Sequence, residues 1–291
     1  MPEGPLQVSM TIDPDAVKAQ VNRRVFGSLV EHMGRGVYGG LYEPEHPHAD
    51  RDGYRTDVLA LVRELGVSIV RYPGGNFVSG YRWEDGVGPV GRRPARFDRA
   101  WRSIEPNVFG LDEFARWSAK AGTEVMLAVN LGTRGARQAA ELVEYANVAT
   151  GTRLSDLRRR HGREQPYGVR TWCLGNEMDG PWQIGHKSAE EYGRLAFETA
   201  NAMRAVDPTL ELVACGSSGR SMPGFGTWDE TVLNNCYEVV DLISAHGYYD
   251  PDASDLPSFI ASSAAMDEQI RQVVAIADRI GRKKGVAKRL G

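Results

Sequence analysis

Six short apolar runs, each followed by an amphipathic stretch, constrain this chain more than any other feature of its sequence. The runs are 26–31, 67–72, 124–130, 169–175, 210–215 and 241–246. Most are continuous blocks of Val, Ile and Leu, the pattern of parallel strands covered on both faces. Helical periodicity fills the spaces between them: Leu59, Val62 and Leu65 within 56–65, then 111–121 and 137–147. Ser188 and Glu191 make a capping-box signature before Tyr192, Leu195, Ala196, Met203 and Val206, and Thr227 and Glu230 repeat it before 232–239. A last stripe, Ile270, Val273, Val274, Ala277 and Ile280, runs into the basic segment 282–289, which suits a helix C-terminus better than a nucleic-acid patch.

Six βα units in order imply a parallel sheet with right-handed crossovers, either doubly wound or closed into a barrel. The glycine pairs Gly34/Gly36 and Gly74/Gly75 lack both the spacing and the following helix of a dinucleotide fingerprint. Polar residues stand instead at the C-terminal end of nearly every run: Glu31, Arg71, Asn130, Asn176 and Glu177, Ser217 and Ser218, and His246. In a (β/α)8 TIM barrel those positions ring one shared site. Six units do not close eight strands, so the expected architecture is an incomplete barrel over residues 19–291.

Composition narrows the function classes. A net charge of −3 gives no basic footprint, which argues against nucleic acid as a partner. No run reaches the roughly 18 apolar residues of a membrane span, and no signal-peptide pattern opens the chain. Cys173, Cys215 and Cys236 form no CxxC pair, and two of them sit inside apolar runs, as reduced core thiols do. A cytoplasmic protein is therefore expected. His46 and His48 have no third ligand nearby in sequence, so no metal site is expected. No elbow, P-loop or zincin motif occurs, and no cofactor is implied.

The most informative segment is Trp172-Cys-Leu-Gly-Asn-Glu-Met-Asp-Gly180. An Asn–Glu pair at a strand end sets a carboxyl beside a carboxamide at the barrel mouth. Glu177 could protonate a glycosidic oxygen, given a raised pKa, while Asn176 holds the neighbouring sugar hydroxyl. The plainer alternative is a loop carboxylate capping a helix. Arg71, ending the second run, needs a carboxylate or ligand partner, with Glu31 or Glu177 as candidates. Gly74 and Gly75 permit a tight turn that brings Asn76 toward the cavity. His246 and Tyr248 can bond a carboxylate and a sugar hydroxyl, although a satisfied structural histidine is an equal reading. Trp83 and Trp101 fall in the long loop after the second run, where each could face a furanose ring or pack in the core.

Together the stretches 26–32, 36–40, 70–77, 172–182 and 246–249 resemble glycoside hydrolase family 51, the intracellular α-L-arabinofuranosidases. The resemblance implies a retaining double displacement on arabinofuranosyl-containing saccharides, with Glu177 as acid/base. Glu31, Arg71, Asn76, Asn176, His246, Tyr248 and Trp101 would surround the sugar. It also implies homo-oligomers, often hexamers. The family's nucleophilic glutamate belongs to a seventh strand, so here it is expected beyond Gly291, as are the remaining two units and a C-terminal β-sandwich that residues 1–18 would join. The expectation is thus of a longer native protein. A β-xylosidase- or endoglucanase-like retaining barrel, or a non-catalytic sugar-binding fragment, are the rival readings.

Overall fold

The computed structural model describes residues 7–252 and 255–291. Among the described residues eight strands run in chain order: β1 (Ser28–Leu29), β2 (Ile69–Tyr72), β3 (Arg96–Asp98), β4 (Ser103–Glu105), β5 (Glu124–Ala128), β6 (Thr171–Cys173), β7 (Glu211–Ala214) and β8 (Leu242–Ile243). The helices are α1 (Thr56–Glu64), α2 (Leu111–Ala121), α3 (Ala136–Asn147), α4 (Arg153–Arg160), α5 (Ala189–Val206), α6 (Thr227–Cys236), α7 (Leu256–Ile260) and α8 (Ser262–Lys284). Six strands form one parallel sheet in the order β1-β2-β5-β6-β7-β8, each joined to the next through at least one helix. This is the expected series of six βα units of a (β/α)8 barrel.

Strand alternation sorts the side chains onto two faces. Val70, Leu127, Trp172 and Leu212 point outward into the large core shared with the helices, where Trp117, Tyr145, Tyr192 and Met203 are fully covered. Ala128, Cys173 and Val213 point the other way and form a small inner cluster with Val78. Register pairs Arg71 with Met126, whose neighbours on that face are Thr171 and Glu211, so Arg71 also belongs to the inner face. Its guanidinium therefore enters the barrel lumen just below the mouth.

The β6–β7 ladder has an insertion at its top. Leu174 N–H still reaches Val213 O at 2.9 Å. At the next position the Tyr192 hydroxyl, from α5, donates to Leu174 O and accepts from Cys215 N–H, both at 2.7 Å. The two strands are thus bridged through a side chain at the level where they turn toward Asn176 and Ser217.

Several boundaries differ from the sequence reading. Every strand is shorter than its apolar run; the first shrinks to two residues because Arg23–Phe26 closes into a 3-10 turn, with the Asn22 side chain accepting from Arg24 N–H. The Ser188–Glu191 box forms, but the Thr227–Glu230 box does not: Gly226, at φ 79°, is the cap, and Asp229 accepts its N–H. The loop after β2 contains the antiparallel hairpin β3–β4, and α4 was not expected. Of the last stripe, Val273, Ala277 and Ile280 are buried against α6, whereas Ile270 and Val274 lie on the exposed side of α8. Residues 7–18 form no strand among the described residues.

Candidate active site

Residues at the upper ends of the sheet converge on one open cleft of about 610 Å3. Glu31, Arg71, Asn76, Trp101, Asn176, Glu177, His246 and Tyr248, all singled out from sequence, line it together with Trp182. They come from points up to 217 residues apart (248 − 31), so the barrel topology is what assembles them.

Glu177 follows β6 through a sharp turn. Gly175 has φ 96° and Glu177 itself φ 44°, a left-handed conformation that side chains other than glycine rarely adopt. The turn lays the Glu177 carboxyl into a cradle of three donors. One oxygen meets His246 Nδ1 at 2.8 Å and the Tyr248 hydroxyl at 3.2 Å; the other accepts from Trp182 Nε1 at 2.9 Å. The side chain is nearly covered, at 6% exposure. Burial pushes its pKa up, but the bonds from His246, Trp182 and Tyr248 outweigh burial and hold the carboxyl below the ordinary glutamate value. The expectation of a raised pKa is corrected on that ground: the surrounding groups are donors, which favour the charged form.

Asn176 is fixed beside it. Its Oδ1 accepts from Arg71 Nη1 at 3.0 Å, and its amide nitrogen faces Gln183 Oε1 at 3.5 Å. Arg71 thus pairs with a carboxamide rather than with Glu31 or Glu177, and among the described residues it makes no ion pair. A guanidinium held this way keeps donors available for a ligand in the cleft.

Across the cleft, Glu31 Oε1 accepts from Phe77 N–H at 3.0 Å and from Trp101 Nε1 at 2.8 Å. Burial, opposed by these bonds, leaves its pKa raised. Gly75 makes this close approach possible: it has φ 62°, and a Cβ there would stand 1.8 Å from Glu31 Oε2. Asn76 opens the short 3-10 turn Asn76–Ser79 that follows. Trp101 is delivered by the β3–β4 hairpin, whose Asp98 carboxylate accepts from Ala100 N–H and Trp101 N–H.

Other strand-end residues stay out of the cleft. Asn130 ties its own loop, donating to Tyr81 O and accepting from Gly132 N–H and Thr133 N–H. Ser217 and Ser218 are held by Asp179. Trp83 packs in the core against Tyr145, with ring centroids 5.2 Å apart. His46 and His48 stand side by side in an exposed loop, and no group of three His, Cys, Asp or Glu placed to hold a metal occurs among the described residues. Trp182 was part of the recognised stretch but carried no assigned role; its separation of five residues from Glu177 was the available signal.

The family pattern described as the Alpha-L-arabinofuranosidase 1 domain matches residues 61–271. The chain belongs to the α-L-arabinofuranosidases of glycoside hydrolase family 51. It is 61% identical over 273 residues to an intracellular exo-α-(1→5)-L-arabinofuranosidase of Streptomyces lividans, covering 93% of this chain and 41% of that protein. It is 57% identical over 275 residues to an exo-α-(1→6)-L-arabinofuranosidase of Bifidobacterium longum, covering 92% and 53%. A solved structure of a family 51 α-L-arabinofuranosidase from Bifidobacterium longum superposes with a TM-score of 0.92 at 52% identity, covering 96% of this chain and 56% of its own. The chain thus spans about half the length of the relatives it matches. No described helix is long and apolar enough to cross a membrane.

Proposed function

We propose that this chain carries the acid/base half of a retaining glycosidase that releases non-reducing terminal α-L-arabinofuranosyl residues in the cytoplasm. The observation that carries the reading is the three-donor cradle around Glu177, facing a cleft whose other walls are Arg71, Asn176, Glu31, Asn76 and Trp101. In the first step Glu177 protonates the leaving oxygen; in the second it takes a proton from the water that releases the sugar. The first step needs the protonated form. A sugar filling the cleft strips water from the carboxyl and so raises its pKa toward that form, against the donors. Asn176 and Arg71 hold hydroxyl groups near the reacting carbon, and Glu31 holds hydroxyls on the opposite edge. Because relatives of similar identity carry (1→5) and (1→6) names, no linkage is assigned.

The test, made in the full-length protein, compares Glu177→Ala with wild type on aryl α-L-arabinofuranosides of graded leaving-group ability and on arabino-oligosaccharides. The expected outcome is a loss of about 10²- to 10⁴-fold on the poorest leaving groups and a small loss on activated ones. An unchanged rate on oligosaccharides removes Glu177 from the role. Matched arabinopyranosides and xylopyranosides, if turned over equally well, favour a xylosidase-like enzyme instead.

A further inference from the structure

The segment that brings His246 and Tyr248 to Glu177 is weakly tied to the barrel. Strand β8 has two residues, and its ladder ends with Ser244 N–H on Ala214 O. From Ala245 to Tyr249 the main chain makes a single hydrogen bond among the described residues: His246 O accepts from Gln269 Nε2 at 2.7 Å. Gln269 lies on α8, is 5% exposed, and packs beside Gly247, where a Cβ would come within 3.5 Å of its Oε1. Its side chain is therefore trapped between the helix and the very turn that separates the two donors.

We infer that Gln269 is a positioning residue for the acid/base: by holding the His246 carbonyl it fixes the approach of both His246 and Tyr248 to Glu177. This rests on the acid/base reading of Glu177. Gln269 is not within hydrogen-bond reach of the cleft-lining carboxyls, so its influence passes through the 245–249 segment alone. The charged and titratable groups that face Glu177 come from every side of the cleft: Arg71 on β2, Glu31 after β1, and His246 and Tyr248 after β8. Only the last two depend on Gln269. Two further facts make the tether more than generic packing. The bond is part-buried with its donor side chain almost fully covered, so losing that donor leaves the carbonyl without its protein partner and free to swing. And α8 begins after the 245–252 segment, so the contact closes a loop rather than extending a strand.

The consequence is a signed change in pH dependence. His246 and Tyr248 stabilise the charged form of Glu177, so loosening them raises the pKa at which the acid form is lost. The experiment measures kcat/KM against pH on an aryl α-L-arabinofuranoside, in the full-length protein, for wild type, Gln269→Met, Gln269→Glu and Glu177→Ala. Gln269→Met keeps the length and removes the donor; Gln269→Glu replaces the donor with an acceptor at neutral pH. The expected result is a basic limb displaced upward by about half a pH unit or more in both, with the larger displacement in Gln269→Glu. Profiles that superimpose on wild type overturn the inference. So does a uniform fall in rate with an unmoved limb and a lower melting temperature, which is what a purely structural glutamine gives. Glu177→Ala separates this from the reading beneath it. A basic limb that persists in Glu177→Ala belongs to another group and sinks the acid/base assignment. A limb that vanishes there but is unmoved in the Gln269 variants sinks the positioning role alone.

Discussion

Two His–Glu pairs sit within the same upper layer of the barrel, and both have Nδ1-to-carboxylate distances of 2.8 Å. Glu177–His246 opens on the cleft; Glu105–His32 is buried at the end of β4. In the buried Glu105–His32 pair every side-chain polar atom is used. Glu105 also accepts from the Tyr38 hydroxyl at 2.5 Å and from Asn107 N–H at 2.7 Å. His32 Nε2 meets the Tyr72 hydroxyl at 2.9 Å, and its ring stacks on Phe77 with centroids 4.4 Å apart. In the open pair only one ring nitrogen of His246 has a partner among the described residues, and Tyr248 is 83% exposed. Both carboxyls are pushed up by burial and pulled down by donors, with the donors prevailing. The lesson is that a depressed carboxyl beside a histidine does not by itself mark chemistry. Access and unspent hydrogen-bonding capacity do.

Truncating each acid separates the two. Glu177→Ala is expected to cost about 10²- to 10⁴-fold in turnover on poor leaving groups while shifting the denaturation midpoint little. Glu105→Ala should do the reverse, losing about 3–5 kcal/mol of stability by leaving His32, Tyr38 and Asn107 without their shared partner. Urea unfolding alongside aryl-glycoside assays reads both, and equal stability losses in the two variants break the contrast. The buried pair also fixes a pH dependence. The folded pKa of Glu105 lies below its ordinary value of about 4.3, so its contribution is complete above that value and is lost as pH falls through the lower folded pKa. Acid unfolding of wild type should therefore steepen below about pH 4, and Glu105→Gln should flatten that limb.

Smaller substitutions sharpen the contrast from the open side. Gly75→Ala forces a Cβ into Glu31 at a positive φ, which should cost about 1–3 kcal/mol and displace the Glu31 carboxylate. A wild-type melting temperature with wild-type KM contradicts that account. Trp101→Phe keeps the aromatic face and removes only the Nε1 donor to Glu31. A KM increase of roughly 2- to 10-fold is expected, with kcat nearly unchanged.

Much of the site was legible because a parallel barrel gathers strand ends, and strand ends could be read from apolar runs followed by a polar residue. Asn176, Glu177, Arg71 and His246 were found that way. What stayed hidden depends on long-range or weakly patterned contacts. The β3–β4 hairpin has three-residue strands that carry Arg96, Asp98 and Glu105, so no alternation announces it, and Trp101 could not be oriented without it. The His32–Glu105 pair spans 73 residues and joins two segments that no motif connects. The direction of the Glu177 pKa failed for a similar reason: a general acid suggested a raised value, but Trp182, His246 and Tyr248 are all donors, and their convergence exists only in three dimensions. A strand-end guanidinium needs compensation, so the sequence offers Arg71 a carboxylate or a ligand; the Asn176 carboxamide supplies part of it while leaving charge for a ligand.

The Tyr192 hydroxyl inserted between Leu174 and Cys215 has a consequence for how wide the mouth is. Two 2.7 Å bonds in series replace one direct ladder bond, so the fourth and fifth strands of the sheet are spread by a spacer that belongs to the outer helical ring. The gap through which Glu177 emerges is therefore gauged from behind, by how deeply α5 seats its tyrosine. Substitutions along the buried side of that helix, at Ala196 or Ala200, would act on the aperture as a shim acts on a hinge, without any of them touching the sugar.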